Sequence, residues 1–207
     1  MITAALVLGV VVARLLQDPD TGTATWDASR ASGFAGYLLL WASVASGVAL
    51  HLRIRPGRSP LTGMLELHRI TSVLGVAFVV AHALALLLDP VVSFAPVDAI
   101  VPFTSAYRPL QTGMGTLALW LAVAVLGTTA AAGRMPYNAW RWAHYLSFPC
   151  WGLALLHGIT AGSDSGATAS TLVYASTAGA IAALGAIRMA GRGWASAAPN
   201  AGQPTAQ

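Results

Sequence analysis

Two stretches, ELHRITSVLGVAFVVAHALALLLD at residues 66–89 and WRWAHYLSFPCWGLALLHGITAG at residues 140–162, decide how this chain folds. Each is an apolar run long enough to cross a ~30 Å hydrocarbon layer as helix, and each carries two histidines near opposite ends. Of the 207 residues, 56% are hydrophobic and 9% charged, against about a quarter charged in a soluble domain. The composition is that of a membrane protein, and the apolar segments follow so closely that no water-soluble second domain fits between them.

Working outward from these two runs, six stretches qualify as spans: Ile2 to Leu16, Gly33 to Leu52, Leu65 to Leu88, Gly113 to Ala132, Trp140 to Ala161 and Thr168 to Met189. The first is short and lacks a basic leader, so a short or tilted helix is expected in preference to a cleaved signal. The expected architecture is all-α, a polytopic six-helix transmembrane bundle over residues 1–194, with a disordered polar tail at residues 195–207. The connection from Asp89 to Thr112 holds Pro90, Pro96, Pro102 and Pro109; packing, not continuous helix, is expected to order it.

All eleven basic residues are arginines. Arg53, Arg55, Arg58, Arg134, Arg141, Arg188 and Arg192 fall on one side of the expected membrane, and all six aspartates, Asp18, Asp20, Asp27, Asp89, Asp98 and Asp164, fall on the other with only Arg14, Arg30 and Arg108 as basic company. By the positive-inside rule the arginine-rich side is cytoplasmic, which puts both termini there in a plasma (inner) membrane protein. Trp26, Trp140, Trp142 and Trp194 near span ends agree with interfacial boundaries. Arginines dispersed in this way form no nucleic-acid-binding face. Cys150 is the only cysteine and lies in an apolar run, so neither a disulfide framework nor a thiolate metal cluster forms within one chain. There is no GxGxxG after a strand, no P-loop and no paired-carboxylate or Ser-His-Asp arrangement.

Coordinating side chains inside a membrane call for a named partner. His68 and His82 stand fourteen positions apart on the third span, and His144 and His157 stand thirteen apart on the fifth. Each interval is about 20 Å of helix rise. Because the two spans run in the same direction, His68 levels with His144 and His82 with His157. Facing imidazoles at each level can supply both axial bonds of a haem iron, giving two stacked haem sites between the third and fifth helices. Phase is less favourable: the longer interval returns to within about 40° of one face, whereas the shorter falls about 140° away. A distortion of the fifth span at Pro149 is expected to restore it. Packing against neighbouring helices or a proton path is the alternative for any single histidine. His51 has no counterpart and is read as interfacial.

Arg69, beside His68, and Arg141, three residues before His144, are placed for the carboxylates of an inner haem; interfacial snorkelling is the competing reading. Arg108 and Tyr107 are offered for the outer haem. Gly33, Gly47, Gly75, Gly113, Gly115 and Gly152 permit close approach of a macrocycle or a helix. Phe78 and Trp151 lie between the two histidine heights, with ordinary core packing as their expected role.

RASGFAGYLLLWASVASG, ELHR around His68, His82, YRPLQTGMGTLALW, and WRWAHYLSF with LLHGITAGSD around His144 and His157 together resemble the ferric reductase-like transmembrane domain. That family includes the membrane parts of ferric reductases and NADPH oxidases and, more distantly, the haem-binding subunit of bacterial methionine sulfoxide reductase. The resemblance covers about Arg30 to Asp164. It implies two b-type haems and electron transfer from a cytoplasmic flavin to an acceptor on the outer side. No dehydrogenase domain is read in the sequence, so a flavin is expected only from a partner, a cytoplasmic flavoprotein reductase. Membrane lipid surrounds the chain, and nucleic acid is not a partner. A haem-free transporter using the histidines for metal or protons is the alternative function.

Overall fold

A computed structural model describes residues 24–54, 61–90 and 94–197, with side chains as far as residue 190. The expected first span at residues 2–16, Arg55, Arg58 and the tail beyond residue 197 lie outside the described residues. Those that are described form helices α1 (Ala24–Leu52), α2 (Leu61–Leu87), α3 (Pro96–Ile100), α4 (Pro109–Ala130), α5 (Tyr137–His144), α6 (Ser147–Ala161) and α7 (Thr168–Ala197), with one 3₁₀ turn at Ala132–Arg134 and no strand among them. Four helices are long and apolar enough to cross a membrane: Ala24–Leu52, Leu61–Leu87, Pro109–Ala130 and the Thr168–Ala190 part of α7.

Helix α1 begins well before the expected Gly33 because its polar first turns have partners. Arg30 is ion-paired with Asp27 at 3.2 Å and with Asp164, the latter joining α1 to the turn before α7. Thr25 Oγ1 donates to Asp89 at 2.7 Å, tying the same end to α2. At its other end α1 closes in a Schellman arrangement: Ile54 N donates to Ala49 O, Arg53 N donates to Leu50 O, and Arg53 takes φ 56°. A non-glycine residue carries about 1–2 kcal/mol of backbone strain in that conformation.

The fifth expected span is two helices. Pro149 has no N–H to return to Tyr145, so the Tyr145 carbonyl accepts instead from Phe148 N, three residues on, at 3.1 Å. Leu146 N donates to Ala143 O and Tyr145 N is shared between Trp142 O and Arg141 O, so the chain tightens over these residues. Each residue in 3₁₀ geometry advances about 20° more than in an α-helix. Three or four such residues recover about half of the lost phase and turn His157 toward the side that His144 faces.

The most extensive packing is α1 on α2 and α4 on α6; α1 also meets α6 and α7. The core lies where these meet, around Tyr37, Val44, Trp151 and Tyr174. Tyr37 and Tyr174 cross edge to face at 5.2 Å, and Tyr37 Oη shares a hydrogen bond with Thr177 Oγ1 at 2.5 Å. Leu65, Ile70, Val73, Leu74, Phe78 and Leu84 are exposed on the outside of α2. Such an apolar exterior suits lipid, not water. Phe78 is thus an exposed residue of α2, not a core aromatic, while Trp151 is buried in the core.

The long connection is ordered by packing over its described part. Buried Asp98 accepts from Ala95 N and Thr104 Oγ1, both at 2.9 Å, and its carbonyl accepts from Thr116 Oγ1 of α4. Trp120 Nε1 donates to Ile100 O at 2.8 Å, and Phe103 sits against Gly113 so closely that a Cβ there would run into the ring.

Candidate haem sites

The helices bring the four histidines together in the two couples expected from their heights. The ring centres of His68 and His144 are 5.9 Å apart, and those of His82 and His157 are 6.0 Å apart. At ~2.0–2.1 Å per metal–imidazole bond, with each ring centre ~1.1 Å behind its nitrogen, two imidazoles gripping one metal atom from opposite sides have centres about 6.3 Å apart. Both couples stand within a few tenths of an ångström of that span. His51 is exposed at the end of α1.

Hydrogen bonding at Nδ1 fixes which ring nitrogen is available. His68 Nδ1 is 2.9 Å from Ser43 O, His82 Nδ1 is 2.8 Å from Ser29 O, and His157 Nδ1 is 2.8 Å from Gln111 O. A carbonyl only accepts, so in these three rings Nδ1 carries the proton and Nε2 keeps its lone pair. That is the tautomer a metal-ligating histidine needs, and the carbonyl also fixes the ring's orientation. His144 differs: its Nδ1 faces Thr129 Oγ1 at 3.4 Å.

Each of those three rings also rests on a glycine one turn beyond the carbonyl it uses. A Cβ on Gly33 would lie 2.8 Å from His82 Nδ1, on Gly47 3.2 Å from His68 Cε1, and on Gly115 2.9 Å from His157 Nδ1 and Cε1. Residues i and i+4 share a helix face, so carbonyl and glycine form one seat: Ser29 with Gly33, Ser43 with Gly47, Gln111 with Gly115. Helix α1 presents this seat twice, as SRASG at 29–33 and SVASG at 43–47, at the same interval that separates His68 from His82. The same step along α4 leads from Gln111 and Gly115 to Val125 and Thr129, where Val125 O already accepts from Thr128 Oγ1 at 3.2 Å and a threonine stands in the glycine's place. The Ser-x-Ala-Ser-Gly repeat was the signal in the sequence for this seat. Gly75 instead faces Leu40, Gly113 faces Phe103, and nothing lies within 4 Å of a Cβ on Gly152.

A cavity lies between α1, α2, α4 and α6 at the His82 and His157 level, lined by Phe34, Leu40, Val79, Leu119 and Ala122 among others, with Tyr107 at its rim. Its walls are largely apolar, as a macrocycle requires. Arg108, from the long connection, donates to Thr160 O at 3.0 Å and lies over the Tyr107 ring. At the other level the indole of Trp140 stacks on His144 with centres 5.2 Å apart, and its Nε1–H is buried without a hydrogen-bond partner among the described residues. An unpaired buried N–H costs about 1–3 kcal/mol, so this level offers a donor that no described residue uses. Arg69 is exposed and donates to Glu66 at 2.9 Å; Arg141 donates from Nε to Tyr145 Oη at 3.0 Å.

The family pattern described as ferric reductase like transmembrane component matches residues 32–155. This chain belongs to that family. The matched segment takes in α2 whole and most of α1, together with His68, His82 and His144, and stops just short of His157. Membrane domains of this family typically bind haem and pair with a cytoplasmic flavin domain, and membership points to transmembrane electron transfer as the general activity. No curated protein and no solved structure gives a significant match.

Proposed function

We propose that the chain conducts single electrons across a plasma membrane between two levels of b-type haem, one held by His68 and His144 near the cytoplasm and one by His82 and His157 near the outer face. The observation that carries the reading is the pair of imidazole couples with ring centres 5.9 and 6.0 Å apart, three of the four rings presenting Nε2 because Nδ1 is bound to a carbonyl. Among the described residues no cluster of three or more histidines, cysteines or carboxylates forms. Two imidazoles per level suit an iron whose other ligands come from a porphyrin; a bare transition ion would ask four ligands of the protein. That weighs against haem-free metal transport.

Bound haem supplies a one-electron couple, and the protein's part is to hold it, orient it and keep water away. His68 and His82 lie about 21 Å apart along α2, which sets the two levels near opposite faces of a ~30 Å layer. Ser29, Ser43 and Gln111 hold their histidines' rings through backbone carbonyls, and the apolar walls at the outer level exclude solvent. Trp140 Nε1, Arg69 and Arg141 are the cationic or donor groups for haem carboxylates at the cytoplasmic level, where Arg69 would exchange Glu66 and Arg141 would exchange Tyr145. The electrons come from a flavoprotein reductase in the cytoplasm and leave to an acceptor outside.

The test is an absorbance spectrum of the purified protein, oxidised and reduced, with haem quantified per chain. Two haems with low-spin spectra are expected; His68→Ala should remove the cytoplasmic-side signal and His157→Ala the outer one. A wild-type protein without haem in gently prepared membranes ends the proposal.

A further inference from the structure

Two guanidinium groups from distant parts of the chain meet at one phenol. Arg141 on α5 donates from Nε to Tyr145 Oη at 3.0 Å, and Arg188 on α7 donates from Nη2 to the same oxygen at 3.2 Å. Both guanidinium carbons lie 5.6 Å from the Tyr145 ring centre. A phenol hydroxyl orients two cations without neutralising them. The ion pairs among the described residues are Arg30 with Asp27 and Asp164, and Arg69 with Glu66, and none includes Arg141 or Arg188. Most of their N–H donors are left over, in the planar forked geometry that matches phosphate oxygens.

The pair opens into a recess completed by Asn138, Trp142 and Phe148. Trp142 is 73% exposed, an amphipathic ring placed as aromatic residues are at a lipid–water boundary. The level agrees: Tyr145 follows His144 directly, and Arg188 stands about 30 Å of helix from the start of α7, one hydrocarbon thickness from the opposite face. Charged fork, amide and interfacial tryptophan thus occur together between two helices at the arginine-rich end, the setting in which basic pockets bind lipid head groups.

We propose that Arg141, Arg188 and Tyr145 form a binding site for the phosphate of an anionic membrane lipid, on the side the arginine distribution assigns to the cytoplasm. The site does not need haem to form, since every group in it is held by protein contacts. It competes with the haem-carboxylate role for Arg141, and the experiment separates the two.

The full chain, purified with its haem content recorded, is placed in nanodiscs or detergent with phosphatidylglycerol or phosphatidylcholine, and retained lipid is counted by native mass spectrometry. Preference for phosphatidylglycerol is expected, falling about fivefold in Arg188→Gln and again in Arg141→Gln, the worth of roughly one basic residue each beside an anionic leaflet. Arg188→Lys should keep part of it, and absorbance should stay unchanged in both Arg188 variants. Inorganic phosphate and flavin mononucleotide, titrated against wild type, test the soluble source: displacement of the lipid by high phosphate supports a phosphate site, whereas tight flavin mononucleotide binding with no lipid preference overturns the lipid assignment. Equal lipid retention by wild type and the double variant overturns the site. Loss of haem from Arg188→Gln with lipid preference intact overturns it in favour of haem carboxylates.

Discussion

Replacing Gly33 by alanine puts a methyl group 2.8 Å from His82 Nδ1, 3.1 Å from Cε1 and 3.3 Å from Cγ. To reach the 3.4 Å at which ordinary contact begins, the ring must retreat by roughly half an ångström from α1, and that movement strains the 2.8 Å hydrogen bond to Ser29 O on the same helix. Overpacking costs about 1–3 kcal/mol and the strained hydrogen bond up to about 1 more, offset by about 1 from alanine's better helix propensity. A net loss of up to about 3 kcal/mol is expected, directed at the outer level. Gly115→Ala, at 2.9 Å from His157, should cost nearly as much, whereas Gly47→Ala, at 3.2 Å from His68, needs only a slight retreat of the ring and should be close to neutral. Gly127, with nothing within 4 Å, is the control. The assay is haem per chain by absorbance together with the thermal unfolding midpoint. Gly33→Ala and Gly115→Ala should lose or broaden the outer signal and melt earlier, with Gly47→Ala and Gly127→Ala near wild type. If Gly33→Ala kept two intact haem signals and melted like Gly127→Ala, the seat beneath His82 would be refuted.

Thr129→Val removes the hydroxyl facing His144 and should make the cytoplasmic-level haem partly five-coordinate, seen as carbon monoxide binding after reduction; Thr129→Ser should behave as wild type. Arg30→Gln leaves Asp27 and Asp164 without their shared cation and should destabilise the outer end by about 2 kcal/mol, read as an earlier melting midpoint that Asp164→Asn partly restores in the double variant. Tyr37→Phe should cost about 1 kcal/mol, because Thr177 Oγ1 retains its bond to Val173 O while the buried link from α1 to α7 is lost. Cys150, 3% exposed with Sγ directed at Ala118 O, should react with a maleimide only after denaturation.

The apolar runs announced most of the helices, and helix rise alone matched His68 with His144 and His82 with His157, since height along a membrane helix depends only on residue count. Phase was harder. It turned on how the chain absorbs the missing N–H of Pro149, a local choice between kinking and tightening that spacing does not decide. The seats under the imidazoles were invisible for a different reason: which residue of α1 opposes His82 depends on how two helices pair, and only the repeat of SRASG as SVASG hinted at it. Spacing also leaves side-chain partners open: Arg69 adjoins His68 and donates along its helix to Glu66, and Arg141 lies one turn before His144 and donates to Tyr145. Helix α1 outran its apolar stretch because Asp27 and Asp164 compensate Arg30, and the second of these partners is 134 residues away in sequence, beyond any local reading.

The doubled seat on α1 constrains insertions and deletions more than it constrains chemistry. Seats at one interval along a helix meet histidines at the same interval along its antiparallel neighbour, so the four positions close a rectangle. Adding a single residue between Gly33 and Ser43 would swing one corner about 100° around the helix and lift it about 1.5 Å, unhitching that corner while leaving the other in place. The length of the window is fixed on both helices, and an indel there should uncouple one histidine couple from the other.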